Sequence, residues 1–228
     1  MELKQKTVVI TGASRGLGRQ LVIRCAKEHA HLVAASRNKS ELQTLADETG
    51  ALPVIADITD EKQVITLAET ANKRFGSIDI WINNAGIWVP HGPVLGIETS
   101  RLYNLFSVNV FGTIYGSKAA LSLMLPHKSG VIVNILSTSA LEGRPNSAAY
   151  CASKFAADGF TKSLRAETKD SGIKVISVYP GGMKTHLFDE KIPTEFDRFM
   201  DPKTIADTII EHIIKDNPDD SLIIRRQS

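Results

Sequence analysis

Tyr150 and Lys154 are the residues of this 228-residue chain whose types and spacing most directly offer chemistry. Residues four apart in a helix lie on one face, so a helix here would set the Lys154 ammonium close to the Tyr150 phenol. A free phenol, with a pKa near 10, is ionised to only about one part in a thousand at pH 7, a deficit of roughly 4 kcal/mol. A cation about 4 Å away at an effective dielectric of ~20 is worth a similar amount. The pair therefore suits general acid/base work. A second group is the turn at residues 8–18, Val-Val-Ile-Thr-Gly-Ala-Ser-Arg-Gly-Leu-Gly. Gly12 permits a tight turn, Gly16 lets a pyrophosphate approach the backbone, and Gly18 allows close helix packing, with helix amides turned to the phosphates. The spacing is G-x-x-x-G-x-G rather than G-x-G-x-x-G, so the turn taken alone also has a purely structural reading.

These residues need a scaffold, and the hydrophobic pattern predicts one. Short apolar, β-branched runs fall at 7–10, 31–35, 52–56, 78–82, 131–136, 175–178 and 222–224. Between them lie amphipathic stretches of helical length near 16–29, 39–48, 60–75, 100–125, 148–170 and 202–215. Continuous apolar strands separated by helices are the pattern of a parallel sheet covered on both faces, so we expect a doubly wound, Rossmann-like α/β fold of about seven strands. Ser40, Thr59-Asp60-Glu61 and Asp201-Pro202 mark expected helix starts. Nothing interrupts the pattern, and a single domain over 1–228 is expected. The least regular stretches, 86–99 and 181–200, follow strand ends, where open α/β sheets bind ligands.

Composition narrows the partners. The net charge is +2, from 27 Lys and Arg against 25 Asp and Glu, with no basic cluster beyond Arg225-Arg226, so no nucleic-acid surface is expected. No stretch approaches the ~20 apolar residues of a membrane span, and residues 1–10 lack the apolar segment of a signal peptide. The two cysteines, Cys25 and Cys151, match neither a metal nor a redox spacing; they point to a reducing, cytoplasmic setting and no metal site.

Further motifs stand in a fixed order along the same scaffold: Asn83-Asn84-Ala85-Gly86, Asn109, Ser137, Tyr150-Cys-Ala-Ser-Lys154 and Pro180-Gly-Gly-Met-Lys-Thr185. With the glycine turn they resemble the short-chain dehydrogenase/reductase family in its compact single-domain form, from Lys6 to about Met200. The resemblance implies an oxidoreductase that interconverts a carbonyl and an alcohol by hydride transfer to or from a nicotinamide dinucleotide. It implies that Tyr150 is the general acid/base, that Lys154 lowers its pKa and holds the nicotinamide ribose, that Ser137 hydrogen-bonds the substrate oxygen, and that Asn109 helps to place a water behind Lys154. It also implies cofactor contacts from Gly12, Ser14, Gly16, Leu17 and Gly18, from Asn83, Asn84, Ala85 and Gly86, and from Pro180, Gly181, Met183 and Thr185. Asp57 resembles the acid that meets the adenine amino group and Ile58 its neighbour on the ring, although Asp57-Ile-Thr-Asp60 also reads as helix-capping chemistry. Met183 stands where the family more commonly has a β-branched residue.

The end of the second strand bears on the choice of cofactor. About 20 residues beyond the glycine turn an NAD enzyme places an acid for the ribose 2′-hydroxyl, whereas this chain has Ser36-Arg37-Asn38. An Arg fork binds a 2′-phosphate that an acid would repel, and Arg15 in the glycine turn is a second cation for it, so NADP(H) is expected. Ile87, Trp88, Val89, His91, Leu141, Met183, His186, Leu187 and Phe188 are the expected walls for a small carbonyl or alcohol substrate with an apolar body. Apolar residues beyond one stripe in the two long helices, among them Phe106, Val110, Tyr115, Phe155 and Phe160, together with the resemblance, imply a homodimer or homotetramer. A dinucleotide-binding regulator without turnover and an NAD(P)-dependent epimerase or dehydratase are the competing readings.

Overall fold

The structure, a computed structural model, describes residues 2–226. Seven strands form one parallel sheet in the order β3-β2-β1-β4-β5-β6-β7. They are β1 (Thr7–Thr11), β2 (His31–Ser36), β3 (Leu52–Ile55), β4 (Ile80–Asn83), β5 (Gly130–Ile135), β6 (Ile173–Pro180) and β7 (Ser221–Ile224). The helices are α1 (Gly16–Lys27), α2 (Lys39–Thr49), α3 (Glu61–Phe75), α4 (Thr99–Phe106), α5 (Gly112–Met124), α6 (Ala148–Glu167) and α7 (Pro202–Ile213).

Alternate strand residues feed two separate cores, as the period of two along a strand requires. Val8, Ile10, Ile80, Ile82, Val133 and Ile176 face α1, α2 and α7 through Leu17, Leu21, Leu42, Leu45, Ile205 and Ile209. Val9, Val33, Trp81, Ile132 and Val175 face α3, α5 and α6 through Val64, Leu67, Ala119, Met124 and Leu164. Both sheet faces are buried, which is why the strands read as unbroken apolar runs.

Besides shifts of one to three residues at element ends, the structure departs from the expected pattern at α2, at β6 and in the helix near 100–125. Asn38, not Ser40, caps α2: its Oδ1 accepts from Glu41 N at 3.2 Å, while Ser40 Oγ donates to that same oxygen. β6 runs from Ile173 to Pro180, longer than its apolar run, because its pairing with β5 begins at Ile173 and its pairing with β7 reaches Pro180. The long helix expected near 100–125 is divided by a π-helical segment, Ser107–Phe111, in which the amide of Gly112 bonds to Ser107 O. Asp60 and Asp201 cap α3 and α7 as expected, with Pro202 in the first turn.

β1 lies between β2 and β4, so the chain winds outward through β2 and β3 and then crosses back to start again at β4. At that reversal the connections at the C-terminal ends of β1 and β4 diverge and leave a crevice between them.

Candidate active site

The crevice is a cleft of about 860 Å³. Its floor begins at the glycine turn. Gly12 has φ +63°, and a Cβ there would come within 2.7 Å of Ala85 Cα, so the first turn is closed against the loop after β4. Asn84 Nδ2 donates to Thr11 O at 2.9 Å and to Gly12 O at 3.1 Å, and Thr11 Oγ1 accepts from the amides of Asn84 and Ala85. Thr11, which the sequence reading did not single out, thus staples the two loops; its only sequence signal is its place beside Gly12.

At the next step of the chain, α1 begins at Gly16 with no side-chain cap and no acid in its first turn. Its free amides open on the cleft, the electrostatic condition for holding a phosphate. Ser14, Arg15, Gly16, Leu17 and Gly18 all line this stretch, and Ser36, Arg37, Asp57 and Ile58 line the end beyond it. Arg37 lies 3.7 Å from Asp57 and Arg15 lies 4.0 Å from Asp189, with 70% and 59% of the two arginine side chains exposed. Asp57 also accepts from Thr59 N and Thr59 Oγ1 at 2.9 and 2.8 Å, closing a turn just ahead of the helix cap at Asp60. Against the upward push of burial, these bonds and the Arg37 charge hold its carboxyl below the usual carboxylate range.

Ser137, Tyr150 and Lys154 meet at the inner end of the cleft. Ser137 follows β5 and caps a single 3₁₀ turn, Thr138–Ala140, by accepting from Ser139 N at 3.1 Å. Tyr150 and Lys154 share one face of α6, and Lys154 Nζ lies 5.9 Å from the centre of the phenol ring. Nζ donates to Ile135 O at 3.2 Å. Burial pushes Tyr150 up to about 12, with the adjacent Ser137 hydroxyl acting in the opposite direction. Burial alone pushes Lys154 down to about 8. Desolvation disfavours both charged forms, so proximity to Lys154 does not by itself make the phenol acidic.

Two expected residues stand behind the cleft rather than on its wall. The Asn83 amide is consumed by Trp81 Nε1, Ser117 Oγ, Thr113 O and Asn134 Oδ1 between β4, β5 and α5. Asn109 sits in the π segment, where Oδ1 accepts from Ile87 N and Nδ2 donates to Ile87 O, each at 2.9 Å, and Nδ2 also donates to Ser153 Oγ. It ties the loop after β4 to α6, and the wider π turn is what aims it there. Ala85, Gly86, Pro180, Gly181, Met183 and Thr185 line the cleft.

The outer walls come from the two irregular loops. Trp88 meets Phe188 edge to face at 5.0 Å, and Phe188 meets Phe199 at 5.3 Å, so the loops join over the cleft. Ile87, His91, His186 and Leu187 also line it, whereas Val89 borders a neighbouring cavity of about 270 Å³ and Leu141 packs on Leu136, Ala140, Ala157 and Tyr179. Arg144 and Lys191, absent from the expected list, add charge to the wall. Among the described residues no group of His, Cys, Asp and Glu is arranged to hold a metal, and no helix is long and apolar enough to cross a membrane.

A doubly wound parallel sheet, an uncapped glycine-rich helix start at its reversal, and a Ser–Tyr–Lys group in one cleft define a dinucleotide-binding α/β architecture. The sequence pattern of short chain dehydrogenases matches residues 6–195, and the chain belongs to that family of oxidoreductases. An uncharacterized oxidoreductase of Staphylococcus saprophyticus is 34% identical over 218 residues, 92% of each chain. The solved 3-ketoacyl-(acyl-carrier-protein) reductase of Brucella melitensis, complexed with NADH, superposes with a TM-score of 0.90 at 29% identity, covering 97% of each chain. A structure of ElxO with NADP bound gives 0.87 at 30% identity, over 96% of this chain and 97% of that one.

Proposed function

We propose that the protein is an NADP(H)-dependent oxidoreductase that interconverts a small carbonyl compound and its alcohol, with Tyr150 as general acid/base. The observation that carries this reading is the convergence of Ser137, Tyr150 and Lys154 at the inner end of a cleft whose outer end bears Arg15 and Arg37. A nicotinamide dinucleotide, when bound, supplies or accepts the hydride at the substrate carbon. Gly12, Ser14, Gly16, Leu17 and Gly18 would hold its pyrophosphate, Ser36, Arg37 and Arg15 its 2′-phosphate, and Asp57 and Ile58 its adenine. Asn84 would border the adenosine ribose, Ala85 and Gly86 would leave room for the cofactor, and the segment from Pro180 to Thr185, with Gly181 and Met183, would border the nicotinamide; Asn83 acts by supporting the sheet and Asn109 by holding the loop at Ile87.

The protons are the protein's own task. In reduction the substrate oxygen gains negative charge as its carbon accepts hydride. Ser137 donates a hydrogen bond to that oxygen and Tyr150 donates the proton, leaving a phenolate. The phenol's upward displacement keeps it protonated and ready to give at pH 7. A charged Lys154, its Nζ 5.9 Å from the centre of the ring, favours the phenolate against the cost of burying that anion. Oxidation runs the same steps in reverse.

The whole chain is read as one nucleotide-binding unit working in a reducing, cytoplasmic compartment, where the buried thiols of Cys25 and Cys151 persist. Phe155 on α6 and Phe111 in the π segment, 45% and 47% exposed, favour a homodimer or homotetramer, although Val110 is buried and Tyr115 and Phe160 pack against the core of their own chain. Light scattering at the monomer mass would reject assembly. The reaction is tested by following oxidation of NADPH and of NADH with a panel of ketones and aldehydes. Consumption of NADPH at the higher kcat/KM is expected. Cofactor binding without any consumption would favour a regulator, and a higher kcat/KM with NADH would overturn the NADP(H) preference.

A further inference from the structure

The cleft has a cationic side that proton and hydride transfer leave unused. Arg144 stands in the connection from β5 to α6, and its Nη2 donates to Thr138 Oγ1 at 3.0 Å. Thr138 is buried and directly follows Ser137, so this bond fixes the guanidinium within one side chain's length of the carbonyl site. Lys191 borders the same cleft from the loop after β6. Burial first, then the charges of Arg144 and Lys191, hold the His91 imidazole below its ordinary value, which places both cations within electrostatic reach of one ring. The charge of Arg144 also reaches the Tyr150 phenol, which it draws downward.

Two carboxylates accompany these cations. Glu142 contacts Arg144 Nη2 at 3.4 Å from an exposed position, and Glu195 is on the cleft wall. A single long contact to a solvated acid uses little of a fork that carries five donors and binds a carboxylate with two parallel bonds. On the other side Trp88 and Phe188 present an apolar surface.

We infer that Arg144 anchors a carboxylate of the substrate, so that the protein acts on oxo acids and the corresponding hydroxy acids. The acid group lies a few bonds from the reacting carbonyl, because the anchor is tied to the residue next to Ser137, and the apolar body rests on Trp88 and Phe188. This inference builds on the carbonyl-reducing reading above and adds the class of substrate.

The test separates the two. Of the two tryptophans, Trp81 is sealed in the core and Trp88 borders the cleft, so intrinsic fluorescence reports ligand entry. Protein loaded with NADP+ is titrated with phenylacetate and with its uncharged isostere phenylacetamide. The carboxylate is expected to bind about 10- to 100-fold more tightly, the worth of a charge-assisted hydrogen-bonded pair. Arg144→Gln should abolish that preference, and Arg144→Lys, which keeps the charge without the fork, should retain part of it. Equal affinity for the two ligands in the unaltered protein, or an undiminished preference in Arg144→Gln, overturns the inference, and the first comparison needs no variant to fold. NADPH oxidation is then followed with an aryl 2-oxo acid and its methyl ester. A carboxylate preference in binding with no turnover of either would overturn the reductase reading and leave the anion site standing. Turnover of the ester as efficient as that of the acid would remove Arg144 from substrate choice and leave the reductase.

Discussion

Lys154→Met should make the protein more stable and catalytically dead. Lys154 is 6% exposed, and burial pushes it from 10.5 down to about 8. At about 1.4 kcal/mol per pKa unit, holding this charge inside the fold costs about 3 kcal/mol at pH 7. Met has a similar unbranched shape and removes that cost, but it forfeits the bond from Nζ to Ile135 O at 3.2 Å, worth about 1 kcal/mol. The net gain of about 2 kcal/mol corresponds to a melting temperature about 6 °C higher for a chain of this size. The pH dependence identifies the cause. Below about 8 both the folded and the unfolded chain carry the proton, and the penalty is complete. Between about 8 and 10.5 the folded state releases it first, the unfolded state holds more protons, and the stability of the unaltered protein rises with pH. The penalty therefore falls to about 2 kcal/mol at pH 9, and the advantage of Lys154→Met halves. Thermal melts of both proteins at pH 7 and pH 9, alongside NADPH oxidation, measure this directly. A variant that melts at or below the parent at pH 7, or a gap that is the same at both pH values, would refute the reasoning.

Tyr150→Phe should bind NADPH as the parent does and lose about 10³-fold in kcat, as removal of a general acid requires; near-normal turnover in a stopped assay would sink the assignment. Arg37→Glu sets a carboxylate at the end of β2, where it repels a 2′-phosphate and accepts from a ribose hydroxyl, so the ratio of kcat/KM for NADPH over NADH should fall about 100-fold; an unchanged ratio would exclude Arg37 from cofactor choice. Gly18→Ala drives a Cβ into Gly12 O of the glycine turn and to 2.5 Å from Asn84 Nδ2, which holds that turn. It should destabilise the fold by about 1–3 kcal/mol in urea melts and weaken NADPH binding, and a neutral variant would show that α1 does not pack as described.

The scaffold was legible because both of its signals are local. Val8–Ile10 and Ile80–Ile82 are buried on both faces, so their unbroken apolar runs announce a parallel strand, and the spacing of Tyr150 and Lys154 on α6 needs only the helical repeat. Helix starts were legible at Asp60 and Asp201, but at α2 the sequence pointed to Ser40, whereas the backbone conformation makes Asn38 the cap. The π segment around Asn109 left no trace in the sequence, and the residue it presents bonds to Ile87, 22 positions away, a contact that no local pattern announces.

Residue type, period and order carry the fold class, the family and the spacing of Ser137, Tyr150 and Lys154. What surrounds those residues comes from the folded chain. It placed Lys154 at 5.9 Å from the Tyr150 ring under burial that disfavours both charges, withdrew Asn83 and Asn109 behind the cleft wall, and brought Arg144 beside Ser137 through Thr138. Desolvation and the direction of a side chain depend on neighbours distant in sequence, and no local pattern encodes them.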